Sequence, residues 1–310
     1  MDIRRVPTNH PDFVTLVAEL DAYLADIDGE EHNFYAQYNT IDQLDEAVVA
    51  YRDGDAIGCG AMKEFDSAAM EVKRMYTKPS QRGQGVAIAV LEKLESLASL
   101  LGYQYCVLET GQRQKAAVQL YTSQAYEVTD SYGQYIGVDN SLCFRKEIAK
   151  SPFTIREIAA SDNESLASII RAVFIEHDAP QQGTVYSDPT TDDLYTLFSV
   201  PKSQLWVAEK DTKIVGCGGI YPTVGLPDGC VEFVKFYLAP SARGLGLGRA
   251  LLEQCLYQAS KLGYDTMYIE SLPHYSKAVT MYERYGFKHL DRQLGQSGHT
   301  TCNIWMSKTL

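Results

Sequence analysis

The chain repeats itself once over most of its length. Glu71, Tyr76, Pro79, Arg82-Gly83 and Gly85 return as Glu232, Tyr237, Pro240, Arg243-Gly244 and Gly246. Gly102-Tyr103, Glu109 and Tyr121 return as Gly263-Tyr264, Glu270 and Tyr282. Each pair is separated by 161 positions, and the register holds without a gap from Glu71 to Tyr126, whose counterpart is Phe287. A period of that length is too long for a solenoid unit and matches one domain. In 310 residues it predicts two copies of one fold, with domains at 1–149 and 152–310. Leu142-Cys143-Phe144 closes the first copy as a strand. Ala149-Lys150-Ser151-Pro152 reads as a short linker, and Phe153-Thr154-Ile155-Arg156 restarts the pattern of Ile3-Arg4-Arg5-Val6.

Within each copy the elements follow one order. A short strand is followed by an amphipathic helix, from about Pro11 to Leu24 and from about Asn163 to Phe174, with apolar residues at helical spacing. Strands then flank turn signals at Asp53-Gly54 and Asp211-Thr212. A further strand, Val72–Thr77 and Phe233–Leu238, runs through a proline into a glycine-rich turn. The next helix carries Ile88, Leu91, Leu94, Leu97 and Leu101, and Gly102 caps its end; Leu251, Leu252, Cys255, Leu256 and Gly263 do the same in the second copy. A buried strand, a short helix with the repeated tyrosine, and final strands complete a mixed α/β unit.

The glycine turns read Arg82-Gly83-Gln84-Gly85-Val86-Ala87 and Arg243-Gly244-Leu245-Gly246-Leu247-Gly248. Glycine removes the Cβ atoms that would hold an anion away from backbone N–H groups. The first helical turn adds unpaired donors and a partial positive charge, so each turn suits a phosphate, most naturally a pyrophosphate. Neither copy has the Gly-Lys-Ser/Thr ending of a P-loop. Ile88 and Arg249 stand where a dinucleotide fingerprint would need its third small residue.

At these residues the sequence resembles the GNAT superfamily of acetyl-CoA-dependent N-acetyltransferases, whose central motif is Arg/Gln-x-x-Gly-x-Gly/Ala between a strand and a helix. The resemblance extends to Leu120-Tyr121 with Ala125-Tyr126, and to Met281-Tyr282 with Gly286-Phe287. It implies an α/β (α+β) fold in duplicate, each copy a mixed, mostly antiparallel twisted sheet flanked by helices. It also implies acetyl-CoA as co-substrate, with its pyrophosphate on the N–H groups of Arg82 to Ala87 and of Arg243 to Gly248. Pantetheine would lie near Met75 and Thr77, and near Phe236 and Leu238. Tyr121 and Tyr282 would protonate the departing thiolate. Many members carry an asparagine about seven residues before that tyrosine; here Gln114 and Tyr275 stand in its place.

Acetyl transfer needs a neutral amine, a polarised carbonyl and a protonated leaving thiolate. Glu71 and Glu232, near the start of the cofactor-side strand, are the candidate general bases. Direct attack in one cleft needs no covalent enzyme intermediate. The alternative to an enzyme is an acyl-CoA sensor or scaffold with one or both copies non-catalytic. His299 and Cys302 lie close enough in sequence for a Cys–His pair, but no orienting acid is evident; a polar lining role suits His299 better.

The acceptor is expected to be a small amine. Residues 1–55 carry thirteen acids and three basic residues, so the first copy suits a cationic one. The segments expected to shape the two acceptor clefts differ: Gly29–Tyr35, with His32, in the first, and His177–Gly183 with Tyr186–Pro189 in the second. A net charge of −12 argues against nucleic acid or an anionic membrane as partner. The seven cysteines show no metal spacing and read as buried thiols; no metal is expected. The N-terminal stretch lacks the apolar run of a signal peptide, so a cytoplasmic protein is expected, and a homodimer stays open.

Overall fold

Each copy builds one seven-stranded sheet with a single parallel junction, and that junction determines where a ligand can enter. The computed structural model describes residues 1–28 and 41–310. The first half contains β1 (Asp2–Val6), α1 (Pro11–Asp28), β2 (Glu46–Arg52), β3 (Asp55–Asp66), β4 (Ala69–Thr77), α2 (Val86–Leu100), β5 (Tyr105–Gly111), α3 (Lys115–Ser123), β6 (Glu127–Thr129) and β7 (Ser141–Glu147). The second contains β8 (Phe153–Glu157), α4 (Asn163–Glu176), α5 (Leu194–Leu197), β9 (Gln204–Lys210), β10 (Lys213–Tyr221), β11 (Cys230–Leu238), α6 (Leu247–Lys261), β12 (Thr266–Ser271), α7 (Ser276–Arg284), β13 (Lys288–His289) and β14 (Ile304–Thr309). The chain divides into two compact units, Met1–Ser151 and Pro152–Leu310.

The strand orders are β1-β2-β3-β4-β5-β7-β6 and, mirrored along the chain, β8-β9-β10-β11-β12-β14-β13. All neighbours are antiparallel except β4 with β5 and β11 with β12. The β2–β3 turn places Asp53 and Gly54 at positive φ, and the β9–β10 turn places Asp211 and Thr212 there, as a tight two-residue hairpin requires. α2 buries Val86, Val90, Leu91, Leu94, Leu97 and Ala98 against one face of the first sheet. α1 buries Phe13, Leu16, Val17 and Leu20 against the other face.

The end of α2 is closed by Gly102, at φ 98°, where Gly102 N–H donates to Ser99 O and Tyr103 N–H to Ala98 O. Gly263 and Tyr264 repeat both bonds after α6. These paired bonds form the Schellman motif that the capping glycines announce. α3 ends in the same way, with Tyr126 N–H donating to Tyr121 O, but Ala125 holds the left-handed position at φ 62° where the second copy has Gly286. An L-residue pays roughly 1–2 kcal/mol for that conformation. Ala125→Gly is therefore expected to raise stability by about 1 kcal/mol, after allowing for glycine's freer unfolded chain. A urea midpoint that fell or stayed unchanged would contradict this.

Candidate active site

The parallel strands separate along their length. β4 and β5 pair from Ala69↔Tyr105 to Glu71↔Val107 and then part. β11 and β12 pair from Cys230↔Thr266 to Phe233↔Ile269 and then part. Beyond these points Val72–Thr77 and Val234–Leu238 have a partner strand on one side only. Each strand also contains a bulge: its register against the preceding strand shifts between Cys59 and Ala61, and between Cys217 and Gly219. Arg74 and Lys235 sit in these bulges at φ 56° and 53°. A bulge bends a strand and re-aims its side chains. Arg74 is buried and pairs with Asp21 of α1 at 2.6 Å. Lys235 is buried and lies 3.3 Å from Asp188, in the segment before α5. The thiols of Cys59 and Cys217 donate to the bulge carbonyls of Arg74 and Lys235. Burial pushes both thiols up to about 12, so they remain protonated donors.

At the open end of each cleft lies the glycine turn. Gly83 and Gly85 adopt φ 73° and 78°, and Gly244 and Gly246 adopt 76° and 85°. A Cβ at any of the four would meet nothing within 4 Å, so the space above the turn is open. The N–H groups of Arg82 and Arg243 donate to Pro79 O and Pro240 O, which moves the start of the free run to Gly83 and Gly244. Among the described residues no acceptor meets the backbone N–H groups of 83–88 and 244–249, and the helices take their first backbone bonds at Ala89 and Ala250. Free donors at a helix N-terminus in open space fit a pyrophosphate. The arginine side chains support the turns from behind. Arg82 Nε donates to Thr77 O and its guanidinium lies 4.6 Å over the Tyr23 ring. Arg243 Nε donates to Leu238 O and its guanidinium grips Glu176 at 2.7 and 2.8 Å. Gln84 accepts from Arg52, Leu245 is exposed, and Val86 and Leu247 are core residues. Ala87 is half-buried, and Gly248 sits where a Cβ would press on Leu238 and Phe236 at 3.2 Å.

The strand-edge positions also line the clefts. Thr77 is buried with its hydroxyl lacking a hydrogen-bond partner, and Met75 lies on the α2 side. Phe236 and Leu238 line the second cleft together with Glu232, Tyr275, Tyr282 and His299. That cleft encloses about 570 Å³. The first, lined by Glu71, Lys73, Met75, Glu109, Tyr121 and Tyr135 among the described residues, encloses about 110 Å³.

The two glutamates are both buried, yet their surroundings differ. Glu232 accepts a hydrogen bond from Thr223 Oγ1, and burial pushes its carboxyl up to about 8. Glu71 lies between two cations, Lys63 Nζ at 3.3 Å and Lys73 Nζ at 3.5 Å, and accepts from Tyr132 OH at 3.3 Å. Both tyrosines are buried on their short helices. Tyr121 packs on Tyr126 and Phe144, and Tyr282 on Phe233, Phe236 and Phe287. Burial pushes both phenols above their ordinary range, so they hold their protons.

Tyr275 stands against Phe174, His177 and Tyr237, and its hydroxyl has no partner. His299 Nε2 is likewise without a hydrogen bond, 3.7 Å from Asp188. Burial and then Lys235 hold His299 below its ordinary pKa, as a neutral imidazole. Burial pushes Cys302 up to about 12, which leaves it a thiol rather than a nucleophilic thiolate. Sequence reasoning missed Thr223 and Lys235, while Asp188 lies in the Tyr186–Pro189 segment expected at this cleft; Lys235 was within reach, because it repeats Arg74 at the same 161-residue interval. Gly29–Tyr35, with His32, lies outside the described residues. No group of side chains suited to a metal occurs among the described residues, nor does any helix long and apolar enough to cross a membrane.

A glycine turn at a helix N-terminus opening onto a parted parallel pair occurs twice in the chain, and comparison with known proteins makes it an acyltransferase. The chain belongs to the acetyltransferase (GNAT) family, whose model matches residues 14–126 and again 171–287. Enzymes of this family use acetyl-CoA and acetylate amines. The chain is 34% identical over 164 residues to the N-acetyltransferase YjgM of Escherichia coli (strain K12), an alignment covering 53% of this chain and 98% of that one. It is 35% identical over 124 residues to an IAA acetyltransferase of Azospirillum brasilense, covering 39% of this chain and 81% of the relative. Among solved structures, a GNAT-family acetyltransferase from Staphylococcus aureus Mu50 aligns at 18% identity with a TM-score of 0.46, over 51% of this chain and 98% of that one.

The buried Glu232 carries a pH signature. Its folded-state pKa lies above the ordinary 4.5, so its contribution to stability is complete below that value and is lost as pH rises through about 8. Glu232→Gln removes the titration. Relative to the parent, the urea midpoint of the variant should improve steadily from about pH 5 to about pH 9. A pH-independent difference would contradict the burial argument.

Proposed function

We propose that the chain is an acetyl-CoA-dependent N-acetyltransferase of two domains, 1–149 and 152–310, and that the second cleft acetylates an external amine by direct attack in a ternary complex. The observation that carries this reading is the continuity of that cleft. One space of about 570 Å³ runs from the glycine turn at Gly244–Gly248, past the free edge of β11, to the buried Glu232. The N–H groups of residues 244–248 would hold the pyrophosphate, and the edge near Phe236 and Leu238 the pantetheine. Residues 83–87, with Met75 and Thr77, would do the same in the first copy.

Glu232, directly or through water, would take the proton from the incoming ammonium, and Tyr282 would return one to the thiolate. Glu232 and Glu270 line this cleft, and Asp188 pairs with its buried Lys235 at 3.3 Å; an incoming ammonium would meet these acids, which favours a small cationic amine. In the first copy the corresponding groups are Glu71 and Tyr121, with Asp12, Glu19, Asp21 and Asp26 along α1.

Release of CoA should depend on both acetyl-CoA and an amine, with kcat/KM rising as Glu232 deprotonates near pH 8. Glu232→Gln should remove that rise and lower kcat by about 10²-fold or more, and Tyr282→Phe should lower kcat by a similar factor. If calorimetry found no acetyl-CoA bound at millimolar concentration, the proposal would fail. Full activity in both variants would move the chemistry to other residues.

A further inference from the structure

We propose that Lys73 is the acetyl acceptor of the first cleft, so that the chain acetylates itself there. This rests on the reading that the first glycine turn binds acetyl-CoA. Lys73 lies two residues past the last β4–β5 pair, Glu71↔Val107, where the strands have just parted. A carrier extended along the free edge of β4 from the turn would bring its thioester to this depth.

The bulge also determines which way the amine faces. Glu71 and Tyr76 face the α1 side of the sheet, whereas Met70, Val72 and Met75 pack on the α2 side. The extra residue in the bulge puts Lys73 and Arg74 together on the α1 side, where an acceptor would approach. Asp21 ties the Arg74 guanidinium back at 2.6 Å. The Lys73 amine stays in the cleft, 3.2 Å from Tyr135 OH and 3.5 Å from Glu71 Oε1. Its side chain is 7% exposed, and burial holds its pKa below the ordinary lysine value against the opposing pull of Glu71. Lys63 and Glu109 are the other charged groups that act on it.

The second copy supplies the contrast. At the position of Lys73 it has Val234, and its cleft encloses about 570 Å³ against about 110 Å³ among the described residues of the first. One cleft has room for an outside amine and no amine at this register. The other has an amine in place at this register. Lys235 is not equivalent, since it occupies the Arg74 position and is held by Asp188 and Thr191.

The reaction is complete with the groups present. Lys73 first gives its ammonium proton to Glu71. The freed Nζ lone pair then forms a bond to the acetyl carbon, the carbon–sulfur bond breaks, and sulfur keeps the electron pair. Tyr121, in the same cleft, protonates the thiolate and recovers the second nitrogen proton. The products are N-acetyl-Lys73 and CoA, in a single turnover.

The purified full chain would be incubated with acetyl-CoA and no amine, digested, and read by mass spectrometry, with acetyl-CoA stoichiometry measured in parallel by calorimetry. One acetyl group per chain is expected on Lys73, absent in Gly85→Glu and present in Gly246→Glu. Circular dichroism would establish that both variants fold. Lys73→Val, the residue of the second copy at this register, should lose the label. Acetyl-CoA bound at the first turn with Lys73 unmodified would overturn the inference and leave the cofactor reading standing. Label on Lys63 or Lys235 instead, or spread over exposed lysines equally in Gly85→Glu, would also overturn it. No binding that depends on Gly85 would remove the cofactor reading for this copy as well.

Discussion

The parting of one parallel strand pair governs both copies. A parallel pair inside an otherwise antiparallel sheet is held by slanted hydrogen bonds and needs a crossover helix to connect its strands. Here the crossover helices are α2 and α6, so the helix N-terminus, the strand edge and the gap between the strands converge. If the pair stayed zipped to its end, the strand edge would be occupied and the glycine turn would face a closed sheet. The bulges at Arg74 and Lys235 bend the strand just past the last pair. They do so with non-glycine residues in the left-handed region, a conformation that the surroundings must hold in place.

The two copies hold this bend with the same groups drawn from different places. Each has a buried cation at the bulge and a cysteine thiol on the bulge carbonyl. In the first copy the counter-ion is Asp21 from α1. In the second it is Asp188, where burial pushes the carboxyl up but Lys235 and Thr190 outweigh it and keep it ionised. Leaving a buried ammonium or guanidinium without its partner is far costlier than exchanging one partner for another. The acid can therefore come from another segment of the chain, provided that it reaches the bulge. The thirteen acids of residues 1–55 must be read with this in mind. Asp21 holds Arg74, Glu19 lies 3.4 Å from Lys78 and accepts from Tyr76, and Asp12 accepts from Tyr51. Part of this acidity is structural pairing.

What could be read in the sequence was what glycine, proline and apolar spacing encode. The duplicated α/β architecture, the glycine turns before α2 and α6 and the Gly102 and Gly263 caps all depend on residues with few conformational alternatives, and these recur at one interval. The bulges did not announce themselves, because Arg74 and Lys235 are not residues that favour positive φ, and their partners Asp21 and Asp188 are distant in sequence. The environments of Glu71 and Glu232 were equally hidden. Thr223 comes from a loop and Lys63 from the neighbouring strand β3, and no local pattern marks either. Nor does a local pattern mark that Pro79 O and Pro240 O take the Arg82 and Arg243 amides through short 3₁₀ turns.

The contrast between the glutamates shows how one scaffold can carry two chemistries. The same residue, on the same strand and at the same depth, has opposite electrostatic surroundings in the two copies. Around Glu232 the nearest donor is a neutral hydroxyl, so burial acts on the carboxyl almost unopposed and favours the protonated form near neutrality. Around Glu71 two ammonium groups stand at 3.3 and 3.5 Å. A carboxyl poised near the working pH can take up and release a proton on each turnover. A glutamate between two lysines holds an amine in place and keeps it within reach of a proton acceptor. That difference rests on the side chains at Lys63, Lys73 and Thr223, not on the fold, which is why a repeat in register over the glycine turn and the tyrosine can end in clefts with different roles.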